Sequence, residues 1–275
     1  MLPQGAPGPG HCPLLGADAA CLMQLPTWRT GRAGRTGPLS PPRPGPLAGA
    51  GPALLAEGVG TAGLAAVVVG SGIAAQQLSP GRPGLQLLAS ALATALGLYA
   101  LVSVLAPVSG AHLNPVVSLA DAALGGLGWR RAAAYAAAQA AGCASGAVVA
   151  NLMFSRPAVF LSAHQRATGA HLLSEALATA GLVVVALGPA RGAGSAAATA
   201  AWVGSAYLFS SSTSFANPAL AAGRMLSDTF AGIAPSSVPA FVAAEALGGA
   251  AGLALVRALY PTSPPDRAGT RGAGR

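Results

Sequence analysis

Long apolar runs separated by short polar breaks cover most of this chain. Six of them, near residues 53–74, 85–108, 131–153, 171–188, 195–212 and 238–259, are long enough as helices to cross roughly 30 Å of hydrocarbon. Two shorter apolar pieces, 114–127 and 217–226, each follow an Asn-Pro pair. At 1.5 Å per residue they reach only about 15–21 Å, half a bilayer, and are predicted as re-entrant half-helices. The pattern therefore predicts an all-α membrane protein with six transmembrane helices and two half-helices, its first partner being the lipid bilayer.

The order of these pieces repeats. LLAEGVGTAGL at 54–64 matches LLSEALATAGL at 172–182 at seven of eleven positions, and AAYAAAQAAGCASG at 133–146 aligns with PAFVAAEALGGAAG at 239–252, pairing Gln139 with Glu245. Each half, about 53–153 and 171–259, has its own Asn-Pro, at Asn114 and Asn217. Three crossings reverse the direction of a chain, so the halves insert with opposite topology, as an inverted repeat whose interface lies at the midplane.

Composition changes the picture at the ends. Residues 1–51 are rich in Pro, Gly and Arg and are expected to be a disordered tail; 52–260 form the membrane domain and 261–275 a second polar tail. No basic start, apolar core and small-residue cleavage site succeed one another, so no signal peptide is expected. Only 8% of residues are charged, against about a quarter in soluble domains.

The net charge of +8 comes from fifteen arginines and no lysine. They form no stripe interleaved with aromatics, which argues against nucleic acid. With both termini cytoplasmic, Arg29, Arg32, Arg35, Arg43, Arg130, Arg131, Arg191, Arg257, Arg267, Arg271 and Arg275 lie inside, and Arg82, Arg156, Arg166 and Arg224 outside. That bias predicts an N-in, C-in orientation, and the expected location is the plasma membrane. Cys12, Cys21 and Cys143 have no metal or redox spacing, and no nucleophile–base pair is apparent, so neither a cofactor nor an enzyme is expected.

The Asn-Pro pairs carry the chemistry. Asn is a favoured N-cap and Pro is preorganised for the first helical position. Half-helices starting at Asn114-Pro115 and Asn217-Pro218 would bring two partially positive N-termini together at the midplane. Irregular backbone at that depth needs protein or water around it, which a narrow aqueous pore supplies. Converging dipoles and the cost of dehydration exclude ions, while small neutral solutes that hydrogen-bond to the two amides pass.

AEGVGT at 56–61, SGAHLNPVV at 109–117, FANPA at 215–219, and Gln139/Glu245 followed by Gly142/Gly248 resemble the aquaporin, or major intrinsic protein, family over residues 52–260. The resemblance implies the aquaporin fold and a homotetramer with one pore per subunit. It also implies that Glu57 and Glu175 accept backbone N–H groups of the re-entrant loops. His112 is expected to pack near the inner half of the pore, and Cys143 to be a small packing residue.

Two positions depart from the family. Most relatives carry arginine three residues after the second asparagine, where this chain has Leu220, and the first motif ends in Val116 where the second has Ala219. Ungapped spacing places the constriction at Thr94, Ser205, Ser214 and Leu220, a small, hydroxyl-rich and wide filter. Arg224 follows one turn later, read either as a displaced cationic guard at the outer mouth or as a side chain that snorkels to the interface or pairs with Asp228, with Asp121 its counterpart at the inner end. Relatives lacking the filter arginine include bacterial channels associated with arsenic detoxification, so water, glycerol-like polyols and arsenous acid are the expected solutes. A secondary transporter is the alternative, since inverted repeats and broken helices build those as well, and a non-conducting scaffold is the third reading.

Overall fold

The computed structural model describes residues 49–188 and 193–261. The N-terminal tail expected to be disordered and the polar C-terminal tail, and with them Arg29, Arg32, Arg35, Arg43, Arg191, Arg267, Arg271 and Arg275, lie outside the described residues except at the tails' inner edges. The described residues form eight α-helices: α1 Ala50–Leu78, α2 Pro83–Ser109, α3 Pro115–Ala123, α4 Trp129–Met153, α5 Gly169–Leu187, α6 Ala193–Phe209, α7 Pro218–Arg224 and α8 Val238–Leu259. Five have the length and hydropathy to cross a bilayer. α6 adds 17 described residues and begins directly after the undescribed 189–192.

The half-helices are shorter than predicted. α3 has nine residues and α7 seven, about 14 and 11 Å. α3 stops at Leu124, where the chain turns through Gly125 at φ 78° and the Gly126 N–H returns to the Asp121 carbonyl.

Packing repeats between the halves. α1 lies against α2 and α4, as α5 lies against α6 and α8; α3 packs on both α4 and α8, and α7 on the same two helices. At the α1–α4 crossing Gly142 and Gly146 sit against the carbonyls of Gly58 and Ala62. At the α5–α8 crossing Gly248 and Gly252 meet those of Ala176 and Ala180. A methyl group at any of the four would overlap backbone, so small residues set how closely these helices approach.

The polarity of a water-soluble protein is inverted. Glu57, Gln139, Glu175 and Glu245 are fully buried, while Leu85, Leu88, Leu92 and Leu96 on α2 and Leu173 and Leu177 on α5 are exposed. An apolar coat around a polar interior is what a hydrocarbon solvent selects.

Candidate functional site: a pore between two half-helices

The tips of α3 and α7 meet in the middle of the bundle. Asn114 Oδ1 accepts the Val116 N–H at 2.9 Å, and Asn217 Oδ1 accepts those of Ala219 and Leu220 at 3.1 and 3.3 Å. Pro115 and Pro218 take the first helical positions, where no N–H is required. Each amide then crosses to the other half: Asn114 Nδ2 donates to the Ala216 carbonyl at 2.7 Å, Asn217 Nδ2 to that of Leu113 at 2.8 Å. An amide carries two N–H donors, so each asparagine keeps one for a solute.

The loops entering the tips are strained in the same way. Ala111 and Leu113 have φ of 47° and 50°, and Ser214 and Ala216 of 41° and 47°. A left-handed conformation is unfavourable for such residues and persists only where the surroundings impose it. Buried carboxylates do so here. Glu57 accepts the N–H groups of His112 and Leu113 at 3.0 and 2.7 Å, the Ser109 hydroxyl at 2.6 Å and the Gln139 amide at 2.8 Å. Glu175 accepts those of Phe215 and Ala216 at 2.9 and 2.7 Å, and Glu245 that of Asn217 at 3.0 Å.

Val116 has a structural counterpart across the interface. It packs against Gly249 of α8 so closely that a methyl there would overlap it. The repeat pairs Gly249 with Cys143, which shares a packed cluster with Ala219 in the other half. A larger residue after the first Asn-Pro is thus matched by a smaller one opposite.

A cavity of about 980 Å³ runs past both asparagines. Toward the face where α1 starts and α8 ends it is lined by His112, Asp121, Arg131 and Tyr135. There His112 Nδ1 lies 3.1 Å from Ser118 Oγ and Nε2 3.6 Å from Asp121, and the Arg131 guanidinium covers the Tyr135 ring at 5.5 Å. Toward the opposite, distal face the lining reaches Thr94, Tyr207, Ser214, Phe215 and Leu220. Over its whole length the cavity is lined both by hydroxyls, among them Thr94, Thr199 and Tyr207, and by apolar groups such as Leu98, Val102 and Leu182.

Two expected placements are corrected. Ser205 is exposed on the outside of α6 and does not line the cavity. Tyr207, 2% exposed, lines it instead, its hydroxyl 3.4 Å from Thr94 Oγ1. Two helical residues turn about 200°, so counting back from Asn217 without allowing for the loop selects the opposite face. The spacing of Ala196, Ala200, Val203 and Tyr207 held the signal, since these lie on one helical face and all four line the cavity or are buried.

Arg224 is not at an exposed mouth. It is 2% exposed; its Nε donates to the Ala231 carbonyl, and its guanidinium carbon lies 3.4 Å from the centre of the Phe215 ring. It does not pair with Asp228, whose carboxylate takes the Ser162 hydroxyl and the Ala163 N–H. Arg166, read from sequence only as a loop charge, reaches the same ring at 5.4 Å. Burial lowers its pKa from the ordinary value, with Glu175 and Tyr207 acting in the opposite direction.

The profile of the Major intrinsic protein family matches residues 50–209. The chain is 44% identical over 213 residues to "Aquaglyceroporin AqpS" of Rhizobium meliloti (strain 1021), covering 77% of this chain and 91% of that one. A shorter stretch of 64 residues is 48% identical to "Aquaporin NIP1-4" of Oryza sativa subsp. japonica, 23% of either chain. The fold is similar to that of the aquaglyceroporin from Plasmodium falciparum, with a TM-score of 0.55 at 18% identity, covering 75% of this chain and 95% of that one.

Proposed function

This chain belongs to the major intrinsic protein family and is a passive membrane channel for water and glycerol-like solutes, and we propose that a wide hydroxyl-lined constriction sets which of them pass. Thr94, Tyr207, Ser214 and Leu220 form that constriction. The observation that carries the reading is Leu220 itself, an apolar group lining the cavity where the family usually places a guanidinium, beside two facing hydroxyls. A polyol presents both C–H and O–H surface, and a wall of leucines and hydroxyls complements both. The free N–H of each of Asn114 and Asn217 then takes a solute oxygen at the midpoint.

Arsenous acid, small and neutral with three hydroxyls, suits the same wall. The channel is read as a plasma-membrane homotetramer with both termini cytoplasmic, which places His112 and Asp121 at the inner end and Arg166 and Arg224 at the outer. The aquaporin-like domain is assigned to residues 52–260.

The test is stopped-flow light scattering of proteoliposomes after a glycerol challenge. Rapid shrinkage followed by protein-dependent re-swelling is expected, and Leu220→Arg should slow re-swelling about tenfold, the effect of about 1.4 kcal/mol at the constriction. Shrinkage without re-swelling would mean a water-selective pore and would refute the wide filter. The same vesicles loaded with arsenous acid decide its passage directly.

A further inference from the structure

The outer end of the cavity carries two guanidiniums whose hydrogen bonds, among the described residues, go to neutral carbonyls and to no carboxylate. Arg166, from the α4–α5 connection, donates Nε to the Gly232 carbonyl at 2.7 Å, Nη2 to Phe230 at 3.0 Å and Nη1 to Ser212 at 3.4 Å. Arg224, at the end of α7, donates Nε to Ala231, and its Nη1 is buried with no hydrogen-bond partner among the described residues. Carbonyl oxygens solvate a guanidinium without cancelling its charge. Glu175 and Glu245, the nearest carboxylates in the fold, offset part of that charge without bonding to either guanidinium, their hydrogen bonds going to the backbone of Phe215, Ala216 and Asn217, while Asp228 is held by the Ser162–Ala163 loop and His164.

Both guanidiniums address one ring. Phe215 lines the cavity beside Ser214, is 4% exposed, and has the Arg224 and Arg166 carbons 3.4 and 5.4 Å from its centre. Its edge packs on Phe241 at 5.2 Å, which holds the ring in place. We propose that Arg166 and Arg224, clamped on Phe215, form the cation barrier of this channel, acting as a field through the ring, while Leu220 leaves the constriction itself open. This rests on reading the cavity as the pore.

The physics separates two properties that a single arginine in a constriction couples. A guanidinium in the lumen repels cations and also narrows the path and binds solute oxygens. Buried one layer back, the same charge keeps its reach, because bulk electrolyte screens buried charges poorly and the surrounding dielectric is low. The lumen meanwhile stays wide for neutral molecules. The arginine fork is fixed by carbonyls from the loop after α7, so the barrier depends on how residues 230–232 are held.

The experiment is ion conductance of purified protein in planar bilayers, beside glycerol flux of the same preparation in vesicles. Arg224→Gln and Arg166→Gln keep hydrogen-bond donors and drop the charge; each is expected to raise potassium and proton leak about tenfold, and the double variant about a hundredfold. Arg224→Lys and Arg166→Lys keep the charge and should leak like the native channel. In the native channel a potassium chloride gradient should give a reversal potential displaced toward chloride, a reading that needs no variant. Glutamine variants with native leak, lysine variants that leak like glutamine, or a native potential displaced toward potassium would each overturn the proposal. Native vesicles passing neither glycerol nor water would instead overturn the pore reading.

Discussion

The two halves of this molecule share their scaffold and differ in what they show the solute. In both, a buried glutamate holds the entry loop, an asparagine caps a half-helix, a proline starts it, and paired glycines bring two helices into backbone contact. Past that frame the correspondence breaks. His112 stands where the other half has Phe215, Asp121 where it has Arg224, Gln139 where it has Glu245, and the Val116–Gly249 pair answers Ala219 and Cys143. The positions held alike are those that satisfy buried backbone, for which few residues suffice. Among the positions that diverge, His112 against Phe215 puts different groups on the cavity wall, and Asp121 against Arg224 sets opposite charges toward its two ends.

The largest effect should come from the loop supports, and unequally. Glu57→Leu strands two backbone N–H groups, a hydroxyl and an amide, and is expected to cost more than 3 kcal/mol and most of the folded protein. Glu175→Leu strands two N–H groups and should cost roughly 1–2 kcal/mol less. Thermal unfolding in detergent gives both values, and equal losses would break the asymmetry. Gly142→Ala and Gly248→Ala test the opposite claim, since both meet backbone carbonyls; losses of about 2–3 kcal/mol, equal within error, are expected.

Smaller effects probe the divergent positions. Tyr207→Ala should speed entry of solutes larger than glycerol severalfold, while Ser205→Ala, on the outer face, should leave flux unchanged. A stopped-flow series of polyols reads both, and a response at Ser205 would restore the ungapped placement. Gly249→Cys alone overpacks Val116 and should cost about 1–3 kcal/mol. Adding Val116→Ala transplants the other half's arrangement and should recover most of that loss. Least of all, Glu245→Gln copies the first half and keeps an oxygen for the Asn217 N–H, so a change within about 1 kcal/mol is expected.

The frame was legible in the sequence because its signals are local and doubled. Asn-Pro within apolar surroundings reads as a half-helix start, and meeting it twice at matched positions makes the pore readable. Tyr207 was hidden because its role depends on the rotation of α6 relative to a loop, which residue counting from Asn217 ignores; the small-residue face of α6 carried that information instead. Arg224 was visible as an oddity but not as buried, since burial comes from Phe215 folding under it and from the Ala231 carbonyl seven residues further on. Arg166 gave no signal at all, as its partners lie 46 to 66 residues away.

The crossed amide bonds between the half-helices also order the protein's assembly in time. Asn114 bonds to Ala216 and Asn217 to Leu113, 102 and 104 residues apart. When the first half leaves the ribosome, its half-helix can be capped and its glutamate engaged, but the carbonyl that its amide needs has not yet been synthesised. The nascent chain must therefore hold one re-entrant segment unfinished until the other arrives, and the two are latched in a single late step. A truncated product ending before residue 216 lacks the carbonyl that the Asn114 amide takes at the centre of the bundle.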